Sequence, residues 1–301
     1  MRETLVRILA CPLCQGPIQA QIERVTCMAC GRTYPLRDGI PWMRPEDANR
    51  TEPQPQPAQP RVGESSGWRR MARQLPLASP ICKTRAGRER IPAFINRVRQ
   101  TNPDAIILNI GSGSTAYDAV VNIDVAPFAH VEVVGDAIAL PVLDSVLDAV
   151  VTQGVLEHVR QPHQAVSEIR RVLKPGGLSL HELPFMQGDH TASDCPDFWR
   201  FTLSGAESLF QGFQVLERGV AVGPSSALTW LLRDYLAILL SFNNIYLHRA
   251  AMRLMALVTF PLKYLDHLVA RSRFASTIAS AFYVVVQRPP GATEVGSEGV
   301  V

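Results

Sequence analysis

The 301-residue chain has no run of about eighteen uncharged apolar residues, so no membrane-spanning helix is expected. The stretch from Leu228 to Leu268 comes nearest. Its apolar runs, YLAILLSF and LMALVTFPL, are short and are separated by His248, Arg249 and Arg253. A secretory pattern is also lacking, because Arg7 interrupts the short apolar segment Leu5–Ala10, which leads straight into cysteines. A cytoplasmic protein with reduced thiols is therefore expected. Charge of one sign is scarce: the formal net charge is +3, which gives no whole-molecule attraction to nucleic acid or acidic partners. Internal repeats are absent. So is GxGxxG, the glycine pattern that starts a full helix over a pyrophosphate, and this disfavours a nicotinamide-dependent dehydrogenase.

What is present begins with cysteine. Four of the six cysteines form two CxxC pairs, Cys11/Cys14 and Cys27/Cys30. Four thiolates at this spacing suit a tetrahedral zinc ion, each pair making one knuckle, with Gly16 and Gly31 supplying tight turns. A redox dithiol would need its CxxC to open a helix in a βαβ unit, and that context is missing. All four positions are cysteine, so the zinc is expected to be structural, a staple for a unit too small to fold alone. The opening LxxILACPxCxGP (Leu5 to Pro17) and the closing TYPLRDGIPWM (Thr33 to Met43) resemble the zinc-ribbon family of small methyltransferase-activator subunits. That resemblance implies a docking or stabilising role beside a methyltransferase.

Composition divides the rest. Residues 1–43 form the ribbon. Residues 44–66, rich in Pro, Gln and charge, read as an extended linker. Residues 67–290 form the main domain, and 291–301 a disordered tail. Within the main domain, apolar strands at 105–110, 120–123, 131–133, 147–152 and 178–183 alternate with helical patterns at 163–173 and 203–211. An earlier helix carries Ile91, Phe94, Ile95 and Val98 on one face. Further strands are expected at 214–222 and 281–287, with a helical insertion, 223–280, between them. The expected fold is α/β: a Rossmann-like, seven-stranded, mostly parallel sheet with helices on both faces, plus the ribbon and the insertion.

The chemistry centres on IILNIGSGSTAYDAVVNIDV. A buried strand runs into Gly111-Ser112-Gly113, where missing side chains let the backbone approach a ligand at the carboxyl edge of the sheet. About ten residues later a second strand ends at Asp124, placed to hydrogen-bond two ribose hydroxyls. Gly135-Asp136-Ala137 follows another strand, and Asp136 can accept from an adenine amino group. With DSVLDAVVTQGVLEHV (144–159) and RRVLKPGGLSLHELPF (170–185), these motifs resemble class I S-adenosylmethionine-dependent methyltransferases of the small-molecule type. The resemblance implies S-adenosylmethionine as cofactor, with Asn109 to Gly113 at its methionine end and Asp124 at the ribose. It implies Asp136 and Ala137 at the adenine, Gln153 and Gly154 at the floor beside the methyl group, and Lys174–Gly177 as a turn launching the fifth strand. The chain departs from the family at Asn109, often Asp, and at Thr115, often Gly. Its short span from Gly113 to Asp124 leaves room for a turn rather than the usual first helix.

Methyl transfer needs positioning more than acid–base work, although an oxygen or nitrogen acceptor can need a base. His158 and His190 are the catalytic candidates. Glu157, His181, Asp197, Trp199 and Arg200 are the substrate-side candidates, Arg200 for a carboxylate or phosphate. The DFWRFT run looks like a motif of bacterial methyltransferases near glycan or secondary-metabolite pathways. The insertion suits a cap over the pocket, a peripheral membrane contact or a homodimer interface. The expected function is methyl transfer to a small molecule or lipid/glycan intermediate. RNA methylation with the ribbon docking tRNA or rRNA is the alternative, and a non-catalytic cofactor-binding scaffold is a third reading. Five arginines against three acidic residues in 1–43 make a weak phosphate-tracking surface, which places nucleic acid second.

Overall fold

The computed structural model describes residues 3–49, 79–191 and 195–290. The tail at 291–301, residues 67–78 of the expected main domain and most of the expected linker lie outside the described residues. The chain opens with helix α1 (Glu3–Ile8), followed by β1 (Ile18–Ala20), β2 (Arg24–Cys27), β3 (Thr33–Arg37) and β4 (Ile40–Pro41), an antiparallel sheet in that order. Gly31 takes a left-handed backbone, φ 71°, after the second CxxC, while after the first that conformation falls on Gln15, φ 58°. Gly16 serves close approach instead. A Cβ there would sit 2.5 Å from the Ala29 methyl of the facing knuckle.

The ribbon does not hang free. Leu5, Ile8, Leu9, Val25, Tyr34 and Met43 join one buried cluster with Val133, Leu140, Val142 and Leu147. Backbone bonds seal the contact: Ala10 N–H donates to Pro141 O, Leu143 N–H to Ile8 O and Met43 N–H to Val134 O, at 2.7–3.1 Å. Residues 44–49, expected as the start of the linker, continue this packing. Arg44 is buried and donates to Asp47 through Nε (2.7 Å) and a terminal nitrogen (3.0 Å), and Asp47 is fully covered. Paired charge, not apolar content, holds this segment, so a composition argument misses it.

Past 79 the chain builds a seven-stranded sheet: β5 (Ile107–Ile110), β6 (Val121–Asp124), β7 (Val133–Val134), β8 (Leu147–Gln153), β9 (Leu173–Pro184), β10 (Gln214–Val222) and β11 (Ala281–Gln287). Their spatial order is β10-β11-β9-β8-β5-β6-β7. The first five run parallel, and β11 enters antiparallel between β9 and β10. Trp42 pairs in parallel with Val134, so the ribbon covers the β7 edge of this sheet. Period-two alternation assigns the faces. Ile107, Ala149, Val151, Leu180 and Val285 meet helix α2 (Arg85–Thr101) through Ile91, Phe94, Ile95 and Val98. Leu108, Ile110, Val150 and Val284 meet α3 (Pro162–Val172) and α4 (Leu203–Leu209). Thr84 and Thr202 cap α2 and α4, each accepting from the backbone N–H three residues on.

Two details differ from expectation or sharpen it. Between β5 and β6 there is no helix, only turns, as the short span requires. Lys174–Gly177 is not a turn before β9 but a bulge within it. The register passes from Leu147↔Leu173 to Ala149↔Leu178, and Gly176 takes φ 81°.

The insertion folds as α5 (Pro224–Ser241) and α6 (Ile245–Thr259), then 3-10 turns and the short α7 (Asp266–Val269). Asp266, fully buried, caps α5 from a distance. It accepts from the backbone of Ser225 and Ser226 (2.8 and 2.9 Å) and from the Ser226 hydroxyl (2.6 Å). Among the described residues no helix is long and apolar enough to cross a membrane.

Candidate active site and zinc centre

A cavity of about 680 Å³ opens at the carboxyl ends of the parallel strands. It lies where strand order reverses about β5, the usual place for a ligand in an open α/β sheet. Each strand end contributes: Ile110, Gly111 and Gly113 after β5, Asp124 and Val125 at β6, Gly135 to Ile138 after β7, Gly154 and Val155 after β8. His158, Gln161, Cys195, Pro196 and Phe198 close the other side.

Asp124 is the best-defined polar group. It is buried, with Oδ2 accepting from Gly113 N–H (2.8 Å) and Oδ1 from Ala126 N–H (3.0 Å). Burial raises its pKa, and these backbone donors oppose the rise. Val125 N–H is a third backbone donor to this carboxylate, whose roughly four acceptor positions leave room for one more. Gly111, at φ 65°, has no room for a side chain: a Cβ would collide with the Val155 side chain. Asp136 lines the cavity, one oxygen accepting from Ile138 N–H at 3.1 Å. Val125, Phe128, Ile138 and Val155 supply apolar walls. An acidic pair, a glycine cradle and an apolar slot fit a nucleoside with hydroxyls and an exocyclic amine. Phe128, Ile138 and Cys195 were not singled out from sequence, because nothing in their spacing distinguishes wall residues from core.

Several expected site residues stand elsewhere. Asn109 does not line the cavity; its amide donates to Asn122 Oδ1 across the β5–β6 pair at 3.0 Å, and the Asn122 amide donates in turn to Val120 O at 3.5 Å. Ser112 is buried beside the cavity rather than lining it. Gln153 turns from the cavity to Glu182 on β9, which also takes Lys83 and Arg90 at 3.1 Å. Trp199 anchors the loop by donating to Val159 O. Arg200 is consumed by bonds to Asp197 and to the carbonyls of Gln187 and Gly188.

His181 is no substrate ligand. It is fully buried, stacked on Phe210 at 4.2 Å, with Nδ1 2.8 Å from the Thr152 hydroxyl. Burial pushes its pKa down from 6.5 to about 3. The unfolded chain gains a proton as pH falls through 6.5, whereas the native state stays neutral until far lower. Stability from this group is therefore complete above that value and lost as pH falls, about 2 kcal/mol by pH ~5. Urea titrations should show a shallower loss between pH ~7.5 and ~5 in His181→Gln than in the native protein, and parallel losses would contradict the assignment.

The acceptor side is a tight cluster. His158 Nδ1 faces Pro196 O at 2.9 Å, so that nitrogen carries the proton and Nε2 is left with its lone pair. His190 Nδ1 lies 3.1 Å from Asp197 Oδ2, and its Nε2 3.8 Å from Glu157 Oε1. Glu157 holds the His190 pKa above its ordinary value against burial, and Asp197 adds to the effect. Burial alone would raise Asp197, but Arg200 and the His190 N–H keep it low. Trp230 of α5 approaches His190, ring centroids 6.0 Å apart.

In the ribbon, Cys11, Cys14, Cys27 and Cys30 bring their sulfurs within 4.8 Å of one another, with Cys11–Cys30 at 3.8 Å and Cys14–Cys27 at 3.4 Å. Tetrahedral zinc–thiolate bonds of about 2.3 Å put sulfurs about 3.8 Å apart, so the residues fit zinc. The buried Tyr34 hydroxyl sits 3.2 Å from Cys11 Sγ and supports that ligand from behind.

Comparisons agree with both halves. Residues 2–39 match the Trm112p-like protein family, and residues 113–180 the methyltransferase domain family. A 37.1 kDa protein of transposon TN4556 from Streptomyces fradiae is 31% identical over 179 residues, 54% of this chain and 50% of that protein. A tRNA U34 carboxymethyltransferase from Syntrophotalea carbinolica is 37% identical over 57 residues, 19% of this chain and 18% of that enzyme. A UPF0434 protein from Stutzerimonas stutzeri is 44% identical over 50 residues, 16% of this chain and 82% of that protein. The chain thus spans half the length of the first relative and under a fifth of the second. The lining of the cavity fits S-adenosylmethionine, the cofactor that the sequence resemblance implies.

Proposed function

We propose, from the match of residues 113–180 to the methyltransferase domain family and of residues 2–39 to the Trm112p-like family, that this chain methylates a small amphiphilic or lipid-linked acceptor, glycan–lipid intermediates included. When bound, S-adenosylmethionine supplies a methyl group already activated on a sulfonium. Asp124 would hold its ribose, Asp136 and the wall of Val125, Phe128 and Ile138 its adenine, and the Gly111–Gly113 turn its amino-acid end. Gly154 and Val155 would border the methyl group. On the facing side, His158, which lines the cavity, and His190, which packs edge-on against it, would receive the acceptor.

One observation carries the acceptor class: the helix that touches His190 through Trp230 continues outward as an exposed apolar stripe. Leu228, Leu231, Tyr235, Ile238, Leu239 and Phe242 follow helical spacing along α5, and Phe242 is 83% exposed. Tyr246, Leu254, Leu257 and Val258 extend the surface on α6. Monomers rarely leave apolar patches above a few hundred Å² uncovered. Arg249, Arg253, Arg271 and Arg273 are exposed around it, while the acidic residues of 223–280 are engaged, Asp266 in the α5 cap and Asp234 with Arg233. Apolar side chains ringed by arginine fit an anionic membrane surface, from which a lipid-linked acceptor reaches the cavity.

The protein is expected to co-float with phosphatidylglycerol-containing vesicles. The double variant Ile238→Glu/Tyr246→Glu should lose at least about tenfold of that binding, each buried side chain being worth roughly 1.5–3 kcal/mol. Methyl-labelled S-adenosylmethionine should then label the lipid fraction of a cell extract. Absence of flotation with a stable dimer in light scattering would reassign the surface to a second copy of the chain. The local likeness to a tRNA enzyme favours RNA as the second reading, and label in the RNA fraction would select it.

A further inference from the structure

We propose that Glu157, His158 and His190 form a second metal site, for a divalent transition cation, on the acceptor side of the cavity. The proposal rests on the reading of that side given above, but its test needs neither acceptor nor turnover. The three side chains each offer a donor atom, and these atoms lie within 4.8 Å of one another. Two imidazoles and one carboxylate converging from one side suit manganese, iron, cobalt or zinc, and leave the remaining positions open. His158 itself lines the cavity, so the open positions face the space where an acceptor oxygen would lie.

The second observation is the state of Glu157. Its side chain is 3% exposed, and Oε2 is buried with no hydrogen-bond partner among the described residues. Among the described residues its other oxygen has His190 Nε2 as an ionic neighbour at 3.8 Å, a long contact. A buried carboxylate this poorly served is costly unless a cation completes it. The loops that carry the donors are already braced. Glu157 O accepts from Phe198 N–H (2.8 Å) and Trp199 N–H (3.3 Å), which ties the turn after β8 to the loop after β9. The far nitrogen of His158 is fixed by Pro196 O, and His190 is held by its backbone N–H on Asp197 (3.1 Å), with its Nδ1 between Asp197 Oδ2 (3.1 Å) and the Arg200 guanidinium (3.4 Å). An outer oxygen that fixes the tautomer and aims the other nitrogen is the usual support of a metal-ligating histidine. Asp197 is itself held by Arg200 and is a positioning residue, not a ligand. A cation here would select acceptors with an anionic or ionisable oxygen, such as a phenol, a carboxylate or a phosphate-bearing headgroup.

Cobalt(II) is the probe, added to the full-length zinc-loaded protein and followed by calorimetry and visible absorption. The expected result is one equivalent of cobalt beyond the ribbon metal, without the intense thiolate-to-cobalt band that would mark exchange into the cysteines. Glu157→Gln and His190→Ala should each weaken that binding by about 10–100-fold. His158→Asn, at a more exposed position, guards against a folding defect. Binding of S-adenosylhomocysteine in the same samples tells a lost metal site from a lost fold. No second equivalent in the native protein, or equal affinity in all three variants, overturns the proposal, and a Glu157–imidazolium pair then accounts for the cluster. Retained S-adenosylhomocysteine binding in that case leaves the methyltransferase reading standing.

Discussion

Replacing Cys27 with serine, or stripping the zinc with a strong chelator, unfolds far more than the first 43 residues. Structural zinc sites in small ribbons are worth on the order of 10 kcal/mol, comparable to the whole stability of a domain. Here that energy is not confined to the ribbon, because Leu5, Ile8, Leu9 and Met43 share a buried cluster with Val133, Leu140 and Val142. Met43 N–H also bonds Val134 O, one residue before Gly135 and Asp136 of the cofactor cavity. The expected outcome is a single thermal transition in the native protein and a fall of more than ten degrees, or insolubility, on zinc removal. Affinity for S-adenosylhomocysteine should fall in parallel. A chelated protein that keeps its main transition and its cofactor affinity would mean that the ribbon is an independent appendage.

The second large effect is expected at Asp124. Asp124→Ala removes the acceptor for Gly113 N–H and Ala126 N–H and, in the proposed pose, for the ribose. The backbone donors then lose their partner in a poorly hydrated site, at about 1–3 kcal/mol. With the cofactor contacts added, affinity should drop at least about 100-fold, or roughly 2.7 kcal/mol. Asp124→Asn, which keeps one acceptor, should lose about tenfold. Calorimetric titration with S-adenosylhomocysteine reads both. Unchanged affinity in Asp124→Ala would remove the ribose from this position and with it the orientation of the cofactor.

Much of this site was written locally. Glycines after an apolar strand, and an acidic residue closing the next strand, have their meaning within about fifteen residues. Gly111, Gly113, Asp124, Asp136 and Ala137 accordingly line the cavity. The roles that were misread depend on neighbours far away in sequence. Gln153 faces Glu182 because β8 and β9 pair in that register. His181 is buried because α4 brings Phe210 over it. Arg200 looks like a substrate ligand until the loop folds back and spends it on Asp197.

The sequence by itself determined the cluster of four cysteines, the alternation that makes a two-faced sheet, the turn in place of a first helix and the glycine–aspartate edge of the cavity. Each follows from spacing along a few residues, where chain geometry leaves little choice. Only the tertiary structure decided that the ribbon docks on the β7 edge through Trp42 and Val134, that Arg44 and Asp47 pack there as a buried pair, and that His190 joins Glu157 and His158. The docking contact joins residues about 90 apart and the histidine cluster residues about 30 apart, while the Arg44–Asp47 pair is local in sequence. A side chain's type fixes what it can bond, but strand order and loop closure fix what it meets.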